Sequence, residues 1–180
     1  MTADATTLPG SIHLRLLQDS DAGQLSAAYQ RNRDHLAPWE PARSEEFFTP
    51  AGQRAVIGSK LAMHAAGQEV PWVLLAGGRI VGAITLTGIV RGPFLSANLG
   101  YWVDKEFNGR GIGSAAVACV LAAARDDLGL HRVQAATLTR NHPSRKVLGS
   151  AGFEEIGLAP SYLKIAGSWQ DHVLFQRLLE

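Results

Sequence analysis

The sequence predicts an α/β protein in which helices cover a mixed β-sheet. Apolar segments with the alternation of strands occur between segments with helical spacing. A hydrophobic fraction of 46% over 180 residues suits one domain with a well-filled core. The glycine-rich segment from Asn108 to Ser114 lies between a strand-like segment and a long helical pattern, a position where α/β sheets bind ligands.

The first half of the chain predicts a strand, two helices and a hairpin. Residues 1–10 are expected to be a flexible tail, and residues 11–180 to form the single domain. Polar side chains at 19–21 can cap a helix, and two prolines keep the segment 35–43 out of regular helix. The predicted elements are a strand at 12–16, a helix from 19–21 to about 33, a stiff loop at 35–43, a helix from Pro50 to about 66, and a hairpin with strands at 72–76 and 80–88.

The second half predicts four further strands and two helices. Gly129 is expected to end the first of these helices as a C-cap, and Pro143 falls near the first turn of the second. The predicted elements are a strand at 95–103, a helix at 114–128, a strand at 131–137, a helix from 141 to about 152, and strands at 153–163 and 170–178. This order indicates a layered structure with a mixed sheet.

Composition narrows the classes of function. A formal net charge of +1 with no long basic run gives little support to nucleic-acid binding. The single cysteine, Cys119, excludes an intramolecular disulfide and disfavours a cysteine-based metal site, so no metal is expected. No apolar run is long enough to span a bilayer, and residues 1–10 lack the pattern of a signal peptide. A cytoplasmic location without a membrane partner is therefore the default expectation.

The glycine run predicts a binding site for a phosphorylated ligand. Gly109, Gly111 and Gly113 keep side chains away from the backbone, and the next helix begins with unpaired N–H groups and partial positive charge. Such a turn can hold a phosphate or pyrophosphate. A nucleotide P-loop would need a lysine after Gly113, and a dinucleotide motif would need another glycine spacing and a later acid, which the sequence lacks. A glycine turn without any ligand remains an alternative.

Asn141 and Ser144 form a second polar cluster at the next strand-to-helix junction. A glycine turn without a ligand does not explain this cluster. Because ligands of open α/β sheets collect at the carboxyl ends of strands, the two junctions together suit an elongated ligand with a pyrophosphate at one end.

These residues resemble a known family, the GNAT N-acetyltransferases. The first motif, Asn108-x-x-Gly111-x-Gly113, resembles the family's acyl-CoA pyrophosphate motif, and the second, Asn141-x-x-Ser144 with Leu148 and Gly152-Phe153, resembles its second motif. Within the family, the chain is most similar to the ribosomal-protein-alanine N-acetyltransferase (RimJ/RimL-type) branch, through the stretches 32–43, 90–94 and 162–174. Two positions depart from the wider family: Asn108 stands where glutamine or arginine is usual, and Leu148 where many relatives carry a tyrosine general acid.

The resemblance implies an α/β (α+β) fold with a central mixed, mostly antiparallel sheet flanked by helices, and acyl-CoA in a cleft between two splayed strands. It also implies transfer of an acetyl group from acetyl-CoA to a protein N-terminal α-amine, with a ribosomal protein as the partner. An α-amine has a pKa of about 7.7–8.0, against about 10.4 for lysine, so weak base machinery suffices for it. We expect direct transfer in a ternary complex, because Cys119 lies inside a predicted helix, away from the strand ends.

Ser144 and Glu40 are the candidates for proton transfer. Ser144 replaces the missing tyrosine and is the candidate donor to the CoA thiolate, directly or through a water, as the resemblance implies for this branch; the structural alternative is a cap of its own helix. Glu40 is the candidate base or the anchor of the substrate ammonium, with a pKa raised by partial burial beside Trp39. Its structural alternative is a loop glutamate paired with Arg33 or Arg43.

The remaining candidates would bind the two substrates. The resemblance implies that backbone groups near Trp102 and Val103 pair with the pantetheine arm and polarise the thioester carbonyl. Asp171 and His172 are expected to be structural. The predicted cofactor-binding residues are Trp102, Val103, Asn108, Gly109, Arg110, Gly111, Ile112, Gly113, Ser114, Asn141, Ser144 and Arg145. The predicted substrate-binding residues are Trp39, Glu40, Arg91, Phe94, Tyr101 and Tyr162.

Several alternatives stay open at this point. Arg110 and Arg145 either reach phosphates or are solvated charges, and Arg91 and Phe94 either line a peptide groove or only turn the chain. The acceptor can instead be a small amine such as a polyamine or antibiotic, or the chain can be a non-catalytic acyl-CoA sensor. The oligomeric state is either a monomer or a homodimer.

Overall fold

The computed structural model describes residues 6–179, which form an eight-stranded sheet with helices packed on both faces. The strands are β1 Thr6–Leu8, β2 Ile12–Leu16, β3 Val70–Ala76, β4 Arg79–Val90, β5 Ser96–Val103, β6 Arg132–Leu138, β7 Glu154–Ile165 and β8 Ser168–Leu178. The helices are α1 Ala22–Arg31, α2 Arg33–Leu36, α3 Pro50–Ala65, α4 Ile112–Asp126 and α5 His142–Ser150. Short 3-10 turns lie at Asp19–Asp21, Glu45–Phe48 and Lys105–Phe107.

The sheet is mixed and mostly antiparallel, which confirms the predicted fold class. Its strand order is β1-β2-β3-β4-β5-β6-β8-β7, and in this order only β5 and β6 pair in parallel. Helix α4 connects these two parallel strands, as a crossover connection requires.

Two apolar cores hold the helices against the sheet. On one face, Val117, Val120 and Ala124 of α4 are fully buried against the sheet. On the other face, Leu25 of α1 and Ile57 of α3 pack with sheet residues. Burying one such aliphatic side chain contributes about 1.5–3 kcal/mol, so both helical layers are fixed by packing.

The beginning of the chain differs from the sequence prediction. Residues 6–8 are not part of a loose tail, because β1 pairs with β2 and Leu8, opposite Ile12, is buried. The predicted tail at 1–5 lies outside the described residues. The helix predicted from 19–21 to about 33 is interrupted at Asn32, whose buried side chain donates to Ala28 O and accepts from Lys105 N at 3.0 and 2.9 Å.

Strands β5 and β6 separate at one end of the sheet. Their pairing ends at Asn98 opposite Gln134, whereas the strands continue to Val103 and Leu138. The separation confirms the predicted cleft between two splayed strands, and it exposes the ends of both strands to ligands. Among residues 6–179, no helix is both long enough and apolar enough to cross a membrane.

Candidate active site

Two cavities open at the gap between β5 and β6. The glycine-loop cavity, about 640 Å³, is lined mainly by the segment 107–114 and one face of α5. The hairpin cavity, about 470 Å³, is lined mainly by the end of β6, the loop at 39–41 and the β7–β8 hairpin. Residues that line both are Leu36, Trp39, Tyr101, Trp102, Asn141 and Ser144. Molecules bound in the two cavities would therefore meet beside Tyr101 and Ser144.

The glycine loop has the backbone conformation that its sequence predicts. Gly109 and Gly111 both have φ of +75°, in the left-handed region that other residues rarely adopt. Gly111 is the N-cap of α4 and offers no side chain to the first N–H groups of that helix, which leaves them available to an anion. Gly113 lies inside the first turn of α4, where a Cβ would meet Val147 at an ordinary 3.8 Å.

Ser144 is not the cap of its own helix. Asn141 takes that role, because its Oδ1 accepts the Ser144 N–H at 3.2 Å. The Ser144 hydroxyl instead lies 2.9 Å from the Tyr101 hydroxyl. Burial raises the pKa of Tyr101, although the Ser144 hydrogen bond opposes this, so the phenol stays protonated at neutral pH. The pair can therefore pass a proton from Tyr101 to Ser144.

The backbone of β5 faces the cleft at alternate residues. Asp104 N–H donates to Val81 O at 2.8 Å, so the alternation along an antiparallel pair directs the N–H and C=O groups of Trp102 toward β4. The N–H and C=O groups of Tyr101 and Val103 point to the opposite edge of β5, toward the gap between β5 and β6. The backbone groups of Trp102 therefore do not face the gap, contrary to the prediction, whereas those of Val103 do. Trp102 lines both cavities, and its indole donates to Tyr29 Oη at 3.0 Å.

Glu40 is a partly buried carboxylate on the wall of the hairpin cavity. Its side chain is 21% exposed, and burial raises its pKa while the guanidinium of Arg43, with Nε at 3.9 Å, opposes the shift. The raised pKa was the prediction, and it is confirmed. Arg33 pairs with Glu45 instead, so of the two arginine partners that the sequence offers for Glu40 only Arg43 lies close to it.

Two contacts hold the Glu40 loop against the end of the chain. The Ala166 N–H, at the tip of the β7–β8 hairpin, donates to Glu40 O at 3.0 Å. Arg140 donates to Pro38 O and to Gln170 Oε1, both at 3.2 Å. The hairpin cavity is therefore closed by segments from both halves of the sequence.

The structure does not bring Arg91 and Phe94 to the site. Because β4 and β5 are antiparallel, the loop that joins them lies at the opposite end of β5 from Tyr101 and Val103. There Arg91 donates to Leu128 O, and Phe94 is exposed. Their predicted place in the substrate groove is wrong, and their alternative role in a turn fits the structure.

Three other predicted residues lie near the cavities without lining them. Arg110 stacks 5.0 Å from the centre of the Phe107 ring. Arg145 donates to Glu155 at 2.6 Å, which ties its charge away from the glycine loop. The exposed ring of Tyr162 stands 5.6 Å from the His172 ring. Arg145 as positioned is not a phosphate ligand.

Several lining residues were missed from the sequence. On the glycine-loop cavity the missed residues include His35, whose Nε2 lies 3.2 Å from the Nδ2 of the predicted Asn108, and Lys146. The spacing of the α5 residues on that wall is helical, which could have identified Lys146 beside Val147. On the hairpin cavity the missed residues include Thr137, Leu163, Lys164, Trp169 and His172. Within residues 6–179, no group of three His, Cys, Asp or Glu side chains is placed to hold a metal ion.

Comparison with known proteins agrees with this geometry. The model of the acetyltransferase (GNAT) domain matches residues 11–154. The ribosomal protein uS5-alanine N-acetyltransferase of Escherichia coli is 34% identical over 163 residues, which are 89% of this chain and 84% of that protein. The probable N-acetyltransferase YjcK of Bacillus subtilis is 34% identical over 164 residues, 90% of this chain and 91% of that protein.

Solved structures give the same result. The ribosomal-protein-S5-alanine acetyltransferase from Vibrio fischeri has a TM-score of 0.93 and 35% identity, covering 98% of this chain and 97% of that one. Mycobacterium smegmatis RimJ in complex with CoA-disulfide has a TM-score of 0.92 and 32% identity, covering 97% and 86%. With the glycine loop and the cleft in place, these likenesses establish that the chain belongs to the GNAT acetyltransferase family.

Proposed function

We propose that the protein transfers an acetyl group from acetyl-CoA to the N-terminal α-amine of a ribosomal protein. One observation carries this proposal: the two cavities meet beside the Tyr101–Ser144 hydroxyl pair. An acyl donor in one cavity and an amine in the other would react at this junction without a covalent enzyme intermediate. Cys119 lies within α4 and outside both linings, as direct transfer requires.

The glycine-loop cavity would hold acetyl-CoA. The N–H groups at the start of α4 would bind the pyrophosphate, and Lys146 would add a positive charge on the α5 side. The cleft-facing backbone of Tyr101 and Val103 would pair with the pantetheine arm and place the thioester at the junction.

The hairpin cavity would hold the acceptor. Its wall combines the aromatic side chains of Trp39 and Trp169 with the Glu40 carboxylate. These groups suit a short apolar residue that ends in an ammonium, with Glu40 as the anchor or the base for that charge. The acceptor nitrogen would then face the thioester carbonyl across the Tyr101–Ser144 pair.

Proton transfer accompanies the bond changes. The neutral amine attacks the thioester carbonyl carbon, the C–N bond forms, and the C–S bond breaks. The departing thiolate takes a proton from Ser144 Oγ. The Tyr101 phenol, whose oxygen lies 2.9 Å from Ser144 Oγ, gives Ser144 a proton in its place. A proton from the attacking nitrogen then restores Tyr101, so the reaction balances as amine plus thioester to amide plus thiol.

The ribosomal substrate is supported by the relatives. Two of them are ribosomal-protein alanine acetyltransferases, and they match this chain over 89% and 98% of its length. A substrate of this kind is made in the cytoplasm, which is where we place the enzyme.

A panel of acceptors tests the proposal. Release of CoA thiol is measured with an Ala-initiated peptide, with the same peptide acetylated at its N-terminus but carrying an internal lysine, and with spermidine. We expect turnover of the free N-terminus alone. Turnover of spermidine alone would identify a small-amine acetyltransferase, and no turnover despite a thermal shift with acetyl-CoA would identify a sensor.

A further inference from the structure

His172 lies on the wall of the hairpin cavity although it is only 3% exposed. Its backbone is fixed on both sides, opposite Leu138 of β6 and Ala159 of β7. Because it belongs to an inner strand of the sheet, its position does not depend on a mobile loop. The sequence-based expectation that it is a structural residue does not explain why its side chain reaches the cavity.

One hydrogen bond sets which ring nitrogen of His172 carries the proton. His172 Nδ1 lies 2.9 Å from Gln170 O. A carbonyl oxygen can only accept, so Nδ1 carries the hydrogen. In the neutral ring Nε2 is then the unprotonated nitrogen, and it forms no hydrogen bond within residues 6–179. The lone pair that can take a proton is therefore on Nε2 of His172, a residue that lines the hairpin cavity.

The neighbouring strand is shaped around this ring. The β7–β8 pairing shifts between Ala159 and Leu163, and Ser161 in this bulge has φ of +47°. The bulge is held by Asp171 Oδ1, which accepts the Ser161 N–H at 2.8 Å, and the ring of Tyr162 stands 5.6 Å from His172. Bulges of this kind redirect side chains beside functional sites.

We propose that His172 Nε2 accepts the proton that the substrate ammonium loses before it attacks the thioester. The proposal rests on the proposed function, and it leaves Glu40 as the anchor of the ammonium. Proton transfer converts ammonium and imidazole into amine and imidazolium, and the imidazolium releases its proton to water after the acetyl group has moved. The other titratable groups that line the hairpin cavity are Glu40, Tyr101 and Lys164; the Tyr162 ring stands 5.6 Å from His172, and the neighbouring Asp171 accepts the Ser161 N–H.

Imidazole suits this task better than a carboxylate. A free imidazole has a pKa of about 6.5, which is closer to that of an α-amine, about 7.7–8.0, than the pKa of a free glutamate carboxyl, about 4.3; burial raises the pKa of Glu40 above that ordinary value. A base works best when its pKa lies near the working pH. Burial is the larger influence on the Glu40 carboxyl and raises its pKa, while the positive charge of Arg43, with Nε 3.9 Å from Glu40, opposes that rise and favours the ionised form that an anchor needs.

The first test compares His172→Asn with wild type over a range of pH. Asparagine can keep the donor to Gln170 O but has no group that accepts a proton at Nε2. We expect kcat/KM for the Ala-initiated peptide to fall about 100-fold near pH 7, and the loss to shrink toward pH 9, where the amine is already neutral. His131→Asn, at an exposed histidine outside both cavities, is the matched control.

The pH dependence separates this role from the alternatives. A loss that is equal at all pH values would overturn the proposal in favour of a structural role. Loss of the acidic limb of the pH profile in Glu40→Gln but not in His172→Asn would make Glu40 the base. A thermal shift with acetyl-CoA verifies that each variant is folded, and His172→Gln replaces His172→Asn if the latter does not fold. If the acceptor panel identifies another amine as the substrate, the proposed function is wrong. The role of His172 is then tested by the same pH profiles with that amine as the acceptor.

A second measurement does not depend on turnover. Nitrogen-15 spectra of histidine-labelled protein, assigned by the His172→Asn variant, report which ring nitrogen is protonated. We expect Nδ1 to carry the hydrogen at neutral pH. A hydrogen on Nε2 would overturn the proposal, since the ring would then offer no lone pair to the cavity.

Discussion

The two cavities that meet at Tyr101 and Ser144 are built in different ways. The glycine-loop cavity takes most of its lining from two stretches, 101–114 and 141–150, and much of what it offers is backbone. The hairpin cavity takes its lining from four separate stretches, 36–41, 99–102, 135–144 and 163–172, and offers mainly side chains. The first can be recognised in local sequence, whereas the second exists only after distant segments have packed together. This difference explains why the acetyl donor is easier to infer than the acceptor.

The largest loss of activity is expected from a change at Ser144, because this residue lines both cavities. Ser144→Ala removes the proton donor and the hydrogen bond to Tyr101. We expect kcat to fall about 100-fold or more, since general acid catalysis contributes about 10²–10⁴-fold. KM for acetyl-CoA should change little. Initial-rate kinetics check this, with Ser59→Ala on the exposed side of α3 as the control. An unchanged kcat would remove Ser144 from the mechanism.

A smaller effect, on acetyl-CoA affinity, tests whether the glycine-loop cavity depends on its backbone conformation. Gly111→Val, at the N-cap of α4, and Gly129→Val, in the turn that follows the Asp127 C-cap of α4, place the same side chain at positive φ, and neither Cβ meets an atom within 4 Å. Each should lose about 1–2 kcal/mol of stability. Only Gly111→Val should weaken acetyl-CoA binding, by about tenfold or more, in isothermal titration calorimetry. Equal binding by the two variants would show that the loop does not hold the donor.

The smallest expected effect is on acetyl-CoA affinity and distinguishes two lysines, one on the wall of each cavity. Lys146 lines the glycine-loop cavity and Lys164 lines the hairpin cavity. Lys146→Ala should weaken acetyl-CoA binding by about 2–5-fold, because an exposed charge pair contributes about 0.2–1 kcal/mol. Lys164→Ala should leave that affinity as it is. If both variants lost affinity equally, the donor would extend into the hairpin cavity.

Local sequence predicted most of the fold and most of the residues around the glycine-loop cavity. Helical spacing and prolines located α3 and α4, and the glycine run and the Asn141 cap located the two junctions. The strand at Thr6–Leu8 was missed because three residues show no periodicity, and it is stabilised by pairing with β2.

Errors in the site arose where contacts outside the recognised motifs decide a side chain's role. Arg145 has the charge of a phosphate ligand, but Glu155 pairs with it. The role of Arg91 depended on which end of β5 its loop occupies, and only the sheet register shows this. The proton position on His172 depends on Gln170 O, a contact that no sequence pattern indicates.

The hydrogen bond from Ala166 N–H to Glu40 O joins two residues that are 126 positions apart. A chain is synthesised from its N-terminus, so the Glu40 loop leaves the ribosome long before the hairpin that completes its cavity. The glycine loop and α5, by contrast, precede the hairpin. A nascent chain that ends at Phe153 therefore contains the glycine loop and α5 but lacks the β7–β8 hairpin, so the cavity proposed for the acceptor is the later of the two to be completed.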